Sequence, residues 1–368
     1  MLPRRNQPLL FQRFAQVAQR VPFCPLGHPD TPVERLSRLG GQIGRDLWVK
    51  RDDLYGSPGG GKVRKLEFAL ADILARGKRS VITFGPLGSN HVAATATHAR
   101  DLGIETLGIL VPQPVQHYVR GNLERSCRQG QVVFARLPGS APFRAIQHWL
   151  RRRFASGQSP ALLMPGGSSV VGILGYVEAA LEIARDVEQQ KIPEPDFVFI
   201  AAGTCGAIAG LAAGLRIAGL KSRPIGVRVC GRFLCNATST VWLANRALAF
   251  LRKRGAVFDV PRLRQGDVRV LHEFCGRGYA HATKAGRHAQ NLAWDNERLA
   301  LDTTYTAKAL AGLFAFMGQP QFSKARALFV NTWAPSPPVS QEHESLIPVR
   351  LAAWLDRREA IESGSSDT

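Results

Sequence analysis

Lys62 stands between the glycine run Gly59-Gly60-Gly61 and a helix-forming stretch that begins Val63-Arg64-Lys65-Leu66-Glu67. An amine in that position suits two chemistries. The stretch Gly56-x4-Gly61-Lys62 comes within one residue of a nucleoside-triphosphate P-loop, where the residue after the lysine gives a hydroxyl to Mg²⁺. Here that residue is Val63, which offers a metal nothing. The preceding Arg51-Asp52-Asp53-Leu54-Tyr55 is also too polar for the buried strand that a P-loop follows. The other chemistry is covalent: a glycine-flanked lysine carries an aldehyde cofactor as a Schiff base.

An aldehyde cofactor that bears a phosphate needs a second glycine-rich turn, placed where a strand feeds a helix, because the helix amides and dipole there favour an anion. The strand-like run Asp196-Phe197-Val198-Phe199-Ile200-Ala201-Ala202 leads into Gly203-Thr204-Cys205-Gly206-Ala207-Ile208-Ala209-Gly210, which opens an apolar helix. A third strand-to-helix turn, Gly85-Pro86-Leu87-Gly88-Ser89-Asn90-His91, sets a hydroxyl, an amide and an imidazole side by side, a place to grip a substrate carboxylate.

With these motifs the chain resembles the pyridoxal phosphate-dependent D-cysteine desulfhydrase and 1-aminocyclopropane-1-carboxylate deaminase family, of the tryptophan synthase β superfamily (fold type II). The likeness runs from about Thr31 to Thr332. It is carried by Leu47-Trp48-Val49-Lys50-Arg51-Asp52-Asp53-Leu54, the Gly-Gly-x-Lys-x-Arg-Lys-Leu-Glu block and Gly88-Ser89-Asn90-His91. Pro165-Gly166-Gly167-Ser168, Gly172-x-x-Gly175-Tyr176, the turn at 203–210, Gly278-Tyr279 and Asp302-x-x-Tyr305-Thr306-x-Lys308 follow in the family order. The resemblance implies that Lys62 holds the cofactor covalently and that Asn90 hydrogen-bonds its phenolic oxygen. The turn Gly203, Thr204, Cys205, Gly206 and Ala207 would cradle the phosphate. Ser89 would bind the substrate carboxylate or act at its Cα, and Tyr279, Tyr305, His91 and Thr332 would line the substrate side, with Tyr305 the better acid–base candidate. Thr306 falls where the family places the partner of the pyridine nitrogen.

That position bears on reaction type. A carboxylate there, as the deaminases carry, keeps the ring nitrogen protonated, whereas a threonine leaves it closer to neutral. Thr306 and Thr332 therefore both resemble the desulfhydrases and favour β-elimination from a small D-amino acid over cyclopropane opening. Three positions depart from the family: Gly61 replaces the usual Asn, Ala207 a common phosphate-loop Thr, and Asn331-Thr332-Trp333-Ala334 a His-Thr-Gly-Gly segment. Losing one threonine hydroxyl to a phosphate costs roughly 0.5–1.5 kcal/mol for an ordinary hydrogen bond, and an indole at 333 is expected to narrow the pocket. A deaminase, or a degenerate cofactor-binding protein without catalysis, is the alternative reading.

The elements that must position these groups alternate between apolar runs and helical patterns, which predicts an α/β fold of two open, twisted, mostly parallel sheets with the cofactor in the cleft between them. The runs at 81–84, 106–111, 132–137 and 161–164 predict one small sheet, and those at 197–201, 225–230 and 327–331 the other. The large domain is expected to comprise 1–64 plus 173–345, the small domain 65–172, and a C-terminal extension 346–368. Within the extension, 345–361 suits a short amphipathic helix and 362–368 looks disordered. The first 22 residues hold Arg4, Arg5, Arg13 and Arg20 and no acid, and read as a leader packed on the surface or as a transit peptide.

At 368 residues and 45% hydrophobic content the chain has enough apolar matter for a large core, and it lacks the run of 18 apolar residues that a membrane span needs. The net charge of +20 comes from scattered arginines without a nucleic-acid reader motif, so no specific nucleic-acid partner is expected. Cys24, Cys127, Cys205, Cys230, Cys235 and Cys275 form no CxxC pair and read as reduced thiols of a cytoplasmic enzyme. Cys205, at a helix N-terminus, is either a thiol of lowered pKa or a small residue filling the turn. His91 reads equally as a substrate contact or as support behind one, and no histidine has metal-ligand spacing. For Ser89 the plain role is a helix N-cap, for Tyr279 and Tyr305 it is core packing, and for Arg64 and Lys65 ordinary first-turn helix charge unless the phosphate lies close. The expected partners are a small amino-acid substrate and a second copy of the chain in a homodimer, with no membrane and no metal.

Overall fold

Every side chain of Val198–Ala202 is buried, as a strand covered on both faces requires. The computed structural model describes residues 7–116, 118–335 and 346–364, the last six by backbone alone. In chain order the strands are β1 (Val33–Arg35), β2 (Asp46–Lys50), β3 (Ser80–Pro86), β4 (Glu105–Val111), β5 (Gln131–Phe134), β6 (Ala161–Leu163), β7 (Phe197–Ala202), β8 (Arg223–Arg228), β9 (Arg269–Leu271) and β10 (Arg326–Val330). The early helices are α1 (Leu9–Arg13), α2 (Ala15–Arg20), α3 (Ser37–Ile43), α4 (Gly61–Ala75), α5 (Asn90–Asp101), α6 (Val119–Gln129) and α7 (Ala141–Ser156). The later ones are α8 (Leu174–Glu188), α9 (Gly206–Ala218), α10 (Ala237–Lys253), α11 (Lys284–Glu297), α12 (Thr306–Met317) and α13 (Val349–Gly364).

Two sheets result. One has the order β5-β4-β3-β6 and is parallel throughout; the other has the order β1-β2-β10-β7-β8-β9, parallel except for the β1–β2 pair. The expected runs all fall in these sheets, but β1, β2 and β9 extend the larger one beyond the three runs foreseen. β2 escaped notice because Lys50 reads as a surface residue. It is buried, its ammonium held by the Thr31 carbonyl at 2.7 Å, Glu182 at 3.3 Å and Asp186 at 3.4 Å. Alternation along β7 sends Val198, Ile200 and Ala202 into a core shared with α8 and α9, and Phe199 and Ala201 into one shared with α12.

The N-terminal segment is part of the core rather than a surface leader. Leu10, Phe11, Phe14 and Val17 pack with α8, α9 and α10, and the Glu178 carboxylate accepts from the amides of Leu9 and Leu10 at 2.7 and 2.8 Å. At the other end, Leu351 and Leu355 of α13 pack with Leu87, Val119 and Leu123 beside the smaller sheet. Helix α13 runs to Gly364, so 362–364 are helical where disorder was expected, and 365–368 lie outside the described residues. No helix among the described residues is long and apolar enough to cross a membrane.

The start of α4 is fixed by buried charge. Arg64 is fully buried; it donates to Asp52 at 2.7 and 2.9 Å, to Glu182 at 2.8 and 3.1 Å and to Thr31 Oγ1 at 3.2 Å, with the Tyr55 ring 3.9 Å from its guanidinium. Its expected role as an ordinary surface charge is thus corrected: it ties α4 to α8 and to the turn after β2. One turn later, Glu67 accepts from the Tyr55 hydroxyl at 2.5 Å and from the amides of Leu26 and Gly27, each at 3.0 Å. Burial nevertheless pushes its carboxyl from 4.5 to about 7. A carboxyl raised in the folded state contributes stability that is complete below its unfolded pKa and is lost as pH rises through the folded one. We therefore expect urea denaturation to show a loss of up to about 3 kcal/mol between pH 5 and 8 from this group, and Glu67→Gln to flatten that part of the profile.

Candidate active site

The glycine run before Lys62 is demanded by close approach. A Cβ at Gly60, whose φ is +52°, would meet the Thr332 carbonyl oxygen at 2.5 Å, and one at Gly59, φ +123°, would meet Ala94 at 2.8 Å. At Gly61 a Cβ would strike the Tyr176 hydroxyl at 2.2 Å. The packed turn delivers Lys62 at the start of α4 to a cleft of about 360 Å³ between the two sheets, with walls built by the ends of β3, β4, β7 and β8. Ligands collect at such carboxyl ends of parallel strands. Lys62 makes no side-chain hydrogen bond among the described residues, its ammonium lies 5.2 Å from the Tyr305 ring centroid, and burial lowers its pKa against the opposing pull of Asp302. That shift favours the free, nucleophilic amine.

The turn between β7 and α9 forms the floor. Ala209 N–H donates to the Cys205 carbonyl at 2.9 Å as the first helical bond, so the amides of Gly206, Ala207 and Ile208 face out of the helix end. Lys65 reaches the same place: its ammonium donates to the Gly166 carbonyl at 3.0 Å and Ser168 Oγ at 3.4 Å, and Ser168 bonds Thr204 Oγ1 at 2.6 Å. A Cβ at Gly206 would fall 2.2 Å from Ser168 Oγ and 2.9 Å from Lys65 Nζ. Burial, and then the charge of Lys62, drives the Lys65 pKa well down. An anion at this turn would relieve that cost. Sequence reasoning treated Lys65 as first-turn charge; its i+3 spacing from Lys62 on one helix was the available signal.

Ser89 caps α5, accepting from Val92 N–H at 3.3 Å, and its buried side chain also faces the cleft, so the capping and site positions coincide. Asn90 is the first residue of α5; its Oδ1 accepts from Asn122 Nδ2 at 2.7 Å, which turns its own amide nitrogen away from Asn122. Asn122, on α6, is a residue the sequence offered no signal for. The His91 ring lies 3.0 Å from Thr83 Oγ1, and burial, then the charges of Lys62 and Lys65, lower its pKa to about 3. It is neutral at any working pH, so it contributes hydrogen bonds and no charge.

Tyr305 donates to the Tyr279 hydroxyl at 3.0 Å with the rings edge to face, and both line the cleft. Burial raises both phenols, which keeps them protonated. Thr332 lines the same cleft and, with Trp333, Asn90 and Tyr305, a small void on the far side of Lys62. The indole of Trp333 is half-buried there and borders that void rather than the main cleft. Thr306 is the exception among the expected residues. It is fully buried and absent from both walls; its hydroxyl donates to Asp302 Oδ1 at 2.8 Å and accepts from the Asp302 amide at 2.9 Å. No metal-binding cluster of His, Cys, Asp or Glu exists among the described residues.

Comparison with known proteins gives these positions a context. The family model described as "Pyridoxal-phosphate dependent enzyme" matches residues 25–332. Proteins named D-cysteine desulfhydrase from Salmonella paratyphi B and Salmonella newport are 34% identical over 322 residues, which is 85% of this chain and 94% of theirs. Among solved structures, an ACC deaminase homologue superposes with a TM-score of 0.73 at 26% identity, covering 89% of this chain and 95% of that one. Threonine deaminase isoform 2 from Solanum lycopersicum, in its processed form, shares the fold at TM-score 0.59 and 16% identity over 97% of this chain and 99% of that one.

Proposed function

The chain belongs to the pyridoxal-phosphate dependent enzymes, and on that premise we propose that it is a D-cysteine desulfhydrase-like lyase. It would take up water and release pyruvate, ammonia and sulfide from D-cysteine, or expel another β-substituent from a small D-amino acid. Pyridoxal phosphate fits the residues present. The cradle at Gly206, which any side chain would fill, adjoins a buried lysine with a lowered pKa and the outward amides of α9, while an amine and an amide donor stand across the cleft. When bound, the cofactor supplies an electron sink that acidifies the substrate's Cα–H bond.

The chain's own groups divide the remaining work. Gly203, Thr204, Cys205, Gly206 and Ala207, with Lys65 and Ser168, hold the phosphate. Lys62 would hold the aldehyde and take the proton at Cα, for which its depressed pKa suits it. Ser89 and the N-terminal amides of α5 hold the substrate carboxylate, with His91 and Thr332 beside them. Asn122 positions Asn90 so that its amide nitrogen can donate to the phenolic oxygen. The hydrogen-bonded pair Tyr305 and Tyr279 delivers a proton to the departing group. Thr306 stands outside the cleft walls, with its hydroxyl engaged by Asp302.

One observation favours β-elimination over cyclopropane opening: none of the residues described as lining the cleft is acidic, so no carboxylate there is available to keep a ring nitrogen charged. The test is a comparison of rates. Pyruvate should be released from D-cysteine or 3-chloro-D-alanine at least about tenfold faster, a difference of about 1.4 kcal/mol in barrier, than 2-oxobutanoate from 1-aminocyclopropane-1-carboxylate. Equal or reversed rates would make the deaminase reading the better one.

The same reading assigns 1–64 plus 173–345 to a large domain and 65–172 to a small one. The smaller sheet lies wholly within 80–163, which supports that division, although α4 packs on both cores through Phe68 and Leu66. A homodimer is supported by the exposed apolar stripe Phe143, Ile146, Leu150 and Phe154 on α7. Sedimentation equilibrium should give twice the chain mass, falling to one chain in Phe143→Asp. Six free thiols agree with a reducing, cytoplasmic setting.

A further inference from the structure

Three cysteines whose thiols this chemistry does not use meet at the turn that faces the phosphate. Cys205 caps α9 with φ at +59°, Cys230 follows β8, and Cys235 closes the short loop before α10. The Cys205 thiol reaches the carbonyls of Leu234 and Asn236, on either side of Cys235, at 3.6 and 3.7 Å. Cys235 in turn reaches the Ala202 carbonyl at 3.3 Å, and Cys230 the Gly203 carbonyl at 2.7 Å. The two loops thus hold each other's sulfurs. Cys205 is held against the two residues that flank Cys235, and Cys235 and Cys230 against the two that end β7 and begin its turn. Cys205 and Cys230 line the cleft, while Cys235 is fully buried behind them.

We infer that Cys205 and Cys235 form a reversible disulfide site on the phosphate turn, through which a peroxide-class oxidant loosens the protein's hold on its cofactor. The inference rests on the reading of residues 203–207 as the phosphate cradle. Donation from Cys235, with smaller help from Thr240, Asn236 and the charge of Lys65, lowers the Cys205 pKa to about 7 against the opposing push of burial, whereas Cys235 itself is raised. That shift favours the Cys205 thiolate, the form that attacks an oxidant, and leaves Cys235 as the thiol of the neighbouring loop.

The Cys205 thiolate attacks one oxygen of hydrogen peroxide, the O–O bond breaks, a sulfenic acid forms, and hydroxide leaves and takes up a proton as water. The Cys235 sulfur then attacks the sulfenic sulfur, the S–S bond forms, and the S–O bond breaks with release of a second water that carries the Cys235 proton. Two thiols lose two electrons and one peroxide gains them. Because Cys205 is the cap of α9 in a backbone conformation that non-glycine residues rarely adopt, a covalent pull from another loop displaces the amides that follow it.

The experiment uses the holoenzyme, treated with hydrogen peroxide, alkylated, and digested with trypsin without reduction. Trypsin separates the three thiols into peptides 192–216, 229–232 and 233–246. Mass spectrometry should find 192–216 joined to 233–246 with the loss of two hydrogens, together with about tenfold weaker retention of pyridoxal phosphate, both reversed by dithiothreitol. Cys235→Ser should bind the cofactor as the parent does before treatment and keep it afterwards. A 229–232 to 233–246 link, oxidation without any link, or a link that leaves cofactor retention unchanged would each overturn the inference. Untreated protein that takes up no pyridoxal phosphate would instead refute the cofactor reading. The linked-peptide measurement on the parent protein stands whether or not the variant folds.

Discussion

Replacing Lys62 by alanine is expected to abolish covalent retention of pyridoxal phosphate and to cut turnover by about 10³-fold or more, the scale on which removal of a reacting nucleophile or base acts. The competing candidate is Lys65, which lines the same cleft and whose pKa burial also lowers. Geometry separates the two. Lys65 is committed to the Gly166 carbonyl and Ser168 at the phosphate turn, whereas Lys62 makes no side-chain hydrogen bond among the described residues and borders, with Tyr305, the void that Asn90 also lines. Borohydride reduction followed by peptide mass spectrometry should place the cofactor mass on Lys62, and the visible-edge absorbance band should be missing from Lys62→Ala. The variant should unfold at the parent's denaturant midpoint, since no ion pair is lost. Label on Lys65 would reverse the two roles.

Arg64→Met is expected to destabilise the fold by about 3–5 kcal/mol, the usual consequence of removing one member of a buried ionic group. Asp52 and Glu182 are both fully buried, and Lys50 at 3.3 Å would remain beside Glu182. Restoring neutrality by adding Asp52→Asn and Glu182→Gln should recover part of the loss, because the cost lies in uncompensated charge more than in missing contacts. Urea denaturation of the single and triple variants measures both terms. A single variant within about 1 kcal/mol of the parent, no more than an exposed pair contributes, would mean that packing at Gly175, where a Cβ would sit 2.0 Å from the Arg64 carbonyl, fixes the start of α4 instead.

The sequence by itself determined the features that rest on local pattern. Alternating apolar runs specified parallel α/β layers, the glycines beside Lys62 and at 203–206 marked helix starts where the backbone comes close to a ligand, and Ser89 announced a helix start. Those signals are read within a few residues, because periodicity, capping and turn chemistry are properties of a short segment. Tertiary structure decided the rest. Lys50, Arg64 and Lys65 look alike as basic residues, yet two are buried in a carboxylate network spanning β2, α4 and α8 and one is aimed at the phosphate turn. Thr306 sits where the resemblance put it along the chain, but Asp302, four residues earlier, claims its hydroxyl. Asn122 supports Asn90 from 32 residues away, and the thiols at 205, 230 and 235 meet only when two loops fold together. A charge or a polar hydrogen leaves water only where a partner compensates it, and which partner is near depends on chain segments distant in sequence.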